Sequence, residues 1–282
     1  MSELSARVDS CLFDEAEARL RELLRHLGRV VVAYSGGVDS AVLLAVARQE
    51  LGDDVLAVTG SSASVARGEV EAAAALAAQL GARHEIIETH EFENPKYVDN
   101  LANRCFFCKE ELFSRLASIA LERGYGHVVD GSNADDGRTP LDHRPGREAG
   151  AKFGVRSPLA EAGLTKDAIR AIARRLNLPV HDKPATPCLS SRVPHGMRIR
   201  VEDLRRIDLA ERYLRALGYP VVRVRHFGQT ARIEVPLEHI APLCASSRRI
   251  GKALRSVGYE RIEIDPRGYR TGSLNERAPQ GM

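Results

Sequence analysis

The chain has 282 residues, 44 % of them hydrophobic and 28 % charged, which is ordinary for one large core or a core with a smaller second domain. A formal net charge of +3 does not by itself imply nucleic-acid binding, and no apolar run is long enough to span a membrane. The N-terminus has no charged stretch followed by an apolar core, so a cytoplasmic location is expected, and the five cysteines read as ligands, nucleophiles or core residues rather than disulfides.

Leu12, Phe13, Ala16, Leu20, Leu23 and Leu27 recur at helical spacing and predict an opening helix. Residues 29–34 (RVVVAY) form an apolar, β-branched run of strand length, followed by a Gly-Gly turn and a buried helix over 41–48. Further strands are expected at 54–59, 84–88 and 127–130, and further helices at 69–80, 107–122 and 165–176, the last with Thr165 as its N-cap. Strands alternating with helices predict an α/β fold with a doubly wound parallel sheet. After about residue 194 the rhythm changes. Helix 202–217, strand 221–225, a Phe-Gly-Gln-Thr turn, strand 231–235, helices 237–246 and 251–257 and strand 261–264 predict a smaller α+β domain. The expected division is 1–190 and 195–282, joined through 184–194, with a loose tail after Asn275.

Ser35, Gly36, Gly37, Val38, Asp39 and Ser40 lie between a buried strand and a helix start. Two glycines let the backbone turn tightly and bring its N–H groups close to an anion, and the helix dipole adds positive charge. Ser35 and Ser40 can donate to phosphate oxygens, and Asp39 can hold Mg²⁺ over a leaving pyrophosphate. No Gly-Lys-Ser/Thr follows, so this is not the Walker pattern. It resembles the SGGxDS loop of the ATP-pyrophosphatase (PP-loop) superfamily, which implies cleavage of ATP between its α- and β-phosphates. The segment DGSNADD, with Asn133 and Asp135, follows the fourth strand, where a polar turn either orients ATP or Mg²⁺ or is simply Asx-rich.

Cys105 and Cys108 form a CxxC, which alone reads as a redox pair, half a zinc site or part of an iron–sulfur site. Cys188 lies in the Pro-bounded segment TPCLSSR with Arg192 nearby, and a guanidinium favours thiolate. Three cysteines from two loops can bind a [4Fe–4S] cluster with one iron left open for an added sulfide. Zinc asks for a fourth ligand, for which His181 and His195 are the nearest candidates. Cys11 and Cys244, on predicted helices among apolar neighbours, are expected to be small buried core residues without a catalytic role. Arg223 and Arg225 alternate on a predicted strand and share a face. Side by side they repel unless an anion lies between them, either a substrate phosphate or an acid such as Glu211; the alternative is a solvated strand face with salt bridges to Glu234.

SGGVDS, NRCFFCK, DGSNADD, DHRPGREAG, KPATPCLSSRVPHG and GYRTGSLN together resemble the LarE family of ATP-dependent sulfur transferases, over about residues 23–275. The resemblance implies that ATP binds at residues 35–40 and adenylates a carboxylate of pyridinium-3,5-biscarboxylic acid mononucleotide, a small-molecule substrate. It implies that Cys188 then displaces AMP, and that single-cysteine members give up this sulfur and leave dehydroalanine. In members with a CxxC, Cys105, Cys108 and Cys188 are expected to hold a [4Fe–4S] cluster carrying sulfide, which favours turnover over sacrifice. The cofactors so implied are ATP, Mg²⁺ and the cluster. Asn133, Asp135, Ser191, Arg192, Glu211, Arg223 and Arg225 are expected to contact nucleotide, metal or substrate phosphate. The family's members are often hexameric, so a homo-oligomer is expected.

Three other readings share part of this pattern. A tRNA-thiolating PP-loop enzyme needs a broad basic surface or an RNA module, which the +3 balance and the lack of zinc-ribbon pairs disfavour. An amide-forming synthetase needs an ammonia source, which here would have to come from a separate subunit. A non-catalytic nucleotide sensor has little use for Asp39 or a Pro-framed Cys188.

Overall fold

The computed structural model describes residues 3–136 and 145–270, with side chains from Asp14 onward. Leu12, Phe13 and the Cys11 side chain, residues 142–144 of DHRPGREAG and residues 271–282, including the end of GYRTGSLN and the tail, lie outside the described residues. In chain order the elements are α1 (Glu3–Leu27), β1 (Val30–Ala33), α2 (Val38–Leu51), β2 (Val55–Ser61), α3 (Glu69–Gln79), β3 (Arg83–Glu88), α4 (Pro95–Val98), α5 (Arg104–Arg123) and β4 (His127–Asp130). They continue as α6 (Pro145–Lys152), α7 (Pro158–Glu161), α8 (Lys166–Arg175), α9 (Val201–Ala216), β5 (Arg223–Phe227), β6 (Thr230–Glu234), α10 (Leu237–Ala245), α11 (Ser247–Ser256) and β7 (Arg261–Ile264). No helix among the described residues is long and apolar enough to cross a membrane.

The chain divides into two compact units. The first comprises Met1–Ser62, Gly68–Asn94 and Asn103–Thr186, and the second Ala63–Arg67, Pro95–Ala102 and Pro187–Met282. The expected division is a single cut near residue 190, whereas the observed second unit also takes in two short segments from earlier in the chain.

The first unit is a parallel sheet of order β3-β2-β1-β4. Val30 and Val32 of β1 face one core, with Leu24, Leu43, Leu76 and Ile169 from α1, α2, α3 and α8. Val31 faces the other, with Phe113, Leu116 and Ala120 from α5. Helices therefore cover both faces, as near-continuous apolar strands require. Residues 41–47 of α2 are all buried, so this helix has no polar face and sits inside the unit. β2 and β3 lie to one side of β1 and β4 to the other. The strand order thus reverses between β1 and β4, where parallel sheets open a ligand crevice at their carboxyl edge. The loops that follow these two strands are the SGGVDS and DGSNADD segments.

In the second unit β5 and β6 pair antiparallel and β6 and β7 parallel, giving the order β5-β6-β7. Leu214 of α9 and Ile250 and Leu254 of α11 pack with Val224 and Ile233 in its core. Phe227 pairs with Thr230, so the hairpin turn is the two residues Gly228 and Gln229 rather than the four of Phe-Gly-Gln-Thr. Gly228 takes φ +63°, the left-handed conformation that such tight turns use. Cys244 departs from expectation: it is exposed on α10, not buried, because the face of that helix that is covered carries Leu243.

Candidate active site

The phosphate-loop segment begins directly after β1. Gly36 has φ +69°, and an added Cβ there would lie 2.8 Å from Cβ of Ala73, so both glycine's conformation and its lack of a side chain are used. The alanine-rich α3 makes this approach possible. Ser40 Oγ donates to Gly37 O at 3.2 Å and lies 3.1 Å from Ser35 Oγ, which holds the two serines together. Gly37 is the N-cap of α2, and no side chain among the described residues caps that helix. Its first backbone N–H groups, with the positive end of the helix dipole, are therefore left for an anion.

The loop after β4 is braced by its own carboxylates. Asp130 accepts from Ser132 N–H, Ser132 Oγ and Ser157 Oγ at 3.1, 2.9 and 2.7 Å. Asp136 accepts from the Asn133 N–H at 3.0 Å, and Asn133 Oδ1 accepts from the Asp135 N–H at 2.9 Å. Asp135 accepts from the Lys166 N–H at 2.7 Å, which ties the loop to the start of α8. Thr165 caps α8 as expected, its hydroxyl accepting from the Ala168 N–H. An added Cβ on Gly131 would lie 2.9 Å from Ser40 N and 3.3 Å from Asp39 C, so the two loops are in backbone contact at the switch point.

Asp39 is not solitary. Lys166 Nζ lies 2.8 and 2.6 Å from its two carboxylate oxygens. Sequence reasoning picks out Thr165 and passes over Lys166, because nothing local announces a partner 127 residues away. A single accessible carboxylate beside a phosphate loop fits Mg²⁺, which commonly takes one or two carboxylates and completes its octahedron with phosphates and water.

Cys105 and Cys108 lie about one turn apart at the start of α5, on one face of the helix. α5 runs antiparallel to the strands it joins, and Gly60 at the end of β2 packs against its Leu112. The CxxC therefore starts from the same carboxyl edge as the phosphate loop. Neither is in a disulfide, and Cys105 is exposed while Cys108 is half-buried. Soft thiolates are the donors an iron–sulfur cluster takes. Among the described residues no three His, Cys, Asp or Glu side chains are gathered as metal ligands. Of the two histidines considered for zinc, His181 Nδ1 lies 2.8 Å from Leu178 O and His195 Nδ1 lies 3.3 Å from Asn100 O.

In the second unit Cys188 is free and half-buried at the start of a short 3-10 turn, Leu189–Arg192. This segment is pinned on several sides. The Leu189 N–H donates to Ser64 O at 2.8 Å, and Ser190 Oγ lies 2.7 Å from the Tyr97 hydroxyl. Arg192 is fully buried and donates from Nη1 to Cys188 O at 2.9 Å and to Ser191 Oγ at 3.0 Å. Its other edge forms a bidentate pair with the fully buried Glu211, at 2.9 and 3.0 Å. Glu211 also accepts from Arg215 at 2.6 Å and from the Val224 N–H at 3.1 Å. Burial raises the pKa of Glu211, but its bonds to Arg192 and the charges of Arg192, Arg215 and Arg223 outweigh this and hold it below the usual glutamate value.

Arg223 and Arg225 are both buried, so the alternative of a solvated strand face does not hold, although the pair to Glu234 does form. Arg225 pairs with Glu234 at 2.8 Å and donates to Ser191 O at 3.0 Å. Arg223 stacks over the Tyr269 ring, 5.4 Å from its centroid. Burial, then repulsion from Arg192, lower the pKa of Arg223, while Glu211 opposes them. Ser191, Arg192, Glu211, Arg223 and Arg225 thus form one cluster around the Cys188 turn. Sequence reasoning pairs Arg223 and Arg225 correctly on one face but does not see that Arg192 points inward, to Glu211 and the turn's own carbonyls.

Residues 29–101 match the family model described as queuosine biosynthesis protein QueC. The chain is 45 % identical over 258 residues to the uncharacterized protein slr1717 of Synechocystis sp., covering 91 % of this chain and 95 % of that one. It is 35 % identical over 261 residues to the pyridinium-3,5-bisthiocarboxylic acid mononucleotide synthase of Lactiplantibacillus plantarum, covering 92 % of this chain and 94 % of that one. It is also 30 % identical over 223 residues to the tRNA-specific 2-thiouridylase MnmA of Rhodospirillum rubrum, covering 65 % of this chain and 58 % of the relative. With a phosphate loop of the PP-loop type at the switch point of a parallel sheet and the first two relatives along nearly its whole length, the chain belongs to the LarE family of PP-loop ATP-dependent sulfur transferases.

Proposed function

We propose that this protein binds Mg·ATP at Ser35, Gly36, Gly37, Val38, Asp39 and Ser40, activates a carboxylate of pyridinium-3,5-biscarboxylic acid mononucleotide, and converts it to a thiocarboxylate. A substrate carboxylate oxygen attacks the α-phosphorus, and the bond to the β-phosphate oxygen breaks to release pyrophosphate. The uncapped N–H groups of α2 stabilise the charge on the phosphates, and Asp39 is the residue that would hold Mg²⁺ beside the leaving group. Asn133 and Asp135 orient the nucleotide from the adjoining loop. In the acyl adenylate the carboxyl carbon is open to a sulfur nucleophile, and AMP leaves as that carbon–sulfur bond forms.

Cys188 would bring sulfur to that carbon as a ligand of the cluster whose sulfide attacks it, with its own Cβ–S bond left intact. The bonds of Arg192 to the carbonyl of Cys188 and to Ser191 keep the thiol's backbone in place. Arg223 and Arg225, gathered with Ser191 and Glu211, suit the phosphate of the mononucleotide. A [4Fe–4S] cluster would be held by Cys105, Cys108 and Cys188, and when bound it supplies sulfide so that no side chain is consumed. The observation that carries this reading is the arginine-clamped turn that presents a free Cys188, in a chain whose other unit holds an uncapped PP-loop.

The two half-reactions use different groups, and this makes the reading testable. In Cys188→Ala, release of pyrophosphate from ATP with the biscarboxylate substrate is expected to persist while thiocarboxylate formation is lost. Thiocarboxylate made at the wild-type rate by that variant would remove Cys188 from the path of sulfur.

A further inference from the structure

Arg104 is the first residue of α5 and stands directly before the CxxC, yet only 5 % of it is exposed. Its Nη2 lies 4.0 Å from Sγ of Cys105, so the guanidinium turns back toward the thiol that follows it in the chain. Lys109, the other cation beside the motif, is directed elsewhere: its ammonium sits over the Phe113 ring, 5.2 Å from the centroid. The turn is also held by α6. An added Cβ on Gly146 would lie 2.9 Å from Cγ of Lys109 and 3.6 Å from Cys105 O, so the backbone of α6 rests on this turn.

The amino end of a helix already carries positive charge, so helix energetics favour an acid at this position over a cation. α5 has no acidic residue in its first turn, and the side chain of its N-cap, Asn103, does not cap it. A buried guanidinium is costly unless anions satisfy it, and a thiolate at Cys105 is an anion within its reach. These features suit negative charge on the sulfur. A [4Fe–4S] cluster held by three thiolates is itself an anion, and sulfide on its open iron adds further negative charge. Hydrogen bonds and charges beside the ligand sulfurs are among the factors that set such a cluster's potential.

We infer that Arg104 is a positioning residue for the cluster: its positive charge, acting through Cys105, favours the sulfide-loaded form and raises the reduction potential. The inference rests on the reading that Cys105, Cys108 and Cys188 hold a [4Fe–4S] cluster, and it adds no covalent step to the reaction.

The test is an anaerobic redox titration of the full chain, reconstituted with iron and sulfide and followed by electron paramagnetic resonance, with sulfide binding at the open iron measured on the same samples. In Arg104→Gln that sulfide is expected to bind about tenfold more weakly, the worth of one charge-assisted contact. A tenfold weaker hold on the added electron corresponds to a midpoint potential about 59 mV lower for a one-electron couple. Arg104→Lys, which keeps a cation, is expected to retain most of both. Cluster assembly in Arg104→Lys but not in Arg104→Gln would also support the inference, since charge is what the lysine shares with the arginine. Wild-type potential and sulfide binding in Arg104→Gln, at full iron content, would overturn it and leave the cluster reading intact. Loss of the cluster in both variants would overturn it as well, because Arg104 would then serve the fold and not the charge. Wild-type protein that assembles no cluster would end both.

Discussion

At the scale of single residues, the Arg192–Glu211 pair shows how a charged group can be placed for structure inside a reactive unit. Both side chains are fully buried, and Glu211 answers two guanidiniums and a backbone N–H. Removing one member of a buried pair leaves an uncompensated charge, so Glu211→Gln is expected to destabilise the protein by about 3–5 kcal/mol in denaturant unfolding. The pH dependence follows from the same bonds. The folded pKa of Glu211 lies below its unfolded value, so the folded state takes up this proton less readily. Its contribution is full above the ordinary glutamate value of about 4.3 and is lost as pH falls through the lower folded value. Wild-type melting temperature should therefore drop on acidification below about pH 4, and that drop should be shallower in Glu211→Gln. An equally steep acid limb in the variant would assign it to other carboxylates. Residue neighbourhoods were legible in the sequence where a motif binds its members together, as in residues 35–40. They were not legible where the partner is remote, as for Lys166 with Asp39, or where an arginine turns inward, as Arg192 does.

At the scale of elements, strand and helix types followed from β-branched runs and helical periodicity, and the parallel order followed from their alternation. Their ends were less legible. α2 begins at Val38, three residues before the residue at which its apolar pattern reads as helical, because the glycine loop itself winds into the first turn. α6 and α7 lie in a Gly- and Pro-rich stretch where local propensity is weak and packing decides. The close approach of the loops after β1 and β4 makes a sharp prediction. In Gly131→Ala the new Cβ would meet backbone atoms of Ser40 and Asp39, which cannot move aside as a side chain would. We expect a cost of about 1–3 kcal/mol and weaker nucleotide binding. At Gly37 the nearest atom to such a Cβ is Ser35 Oγ at 3.4 Å, an ordinary contact, so Gly37→Ala is expected to be much milder. Equal effects of the two substitutions, measured by urea unfolding and nucleotide titration, would contradict this packing.

At the scale of the whole molecule, the second unit gathers residues that are distant in sequence. The side chain of Asn100, itself at φ +57°, donates to the carbonyls of Pro194 and Met197 at 2.7 and 2.9 Å. Ser64 O accepts from the Leu189 N–H and the Tyr97 hydroxyl meets Ser190 Oγ, which together hold the Cys188 turn. Periodicity reports only neighbours along the chain, so two short inserted segments left no mark in the sequence, whereas the change of rhythm near residue 194 did. One unit thus presents an uncapped phosphate loop and a CxxC, and the other a clamped cysteine with an arginine cluster. The account requires both to act on one substrate. The most direct measurement is the mass of the product formed from ATP, Mg²⁺ and pyridinium-3,5-biscarboxylic acid mononucleotide by anaerobically prepared protein. The account predicts replacement of a carboxylate oxygen by sulfur, with one AMP and one pyrophosphate released for each sulfur added. Recovery of the unchanged diacid or of a carboxamide, from protein that does release pyrophosphate, would contradict it.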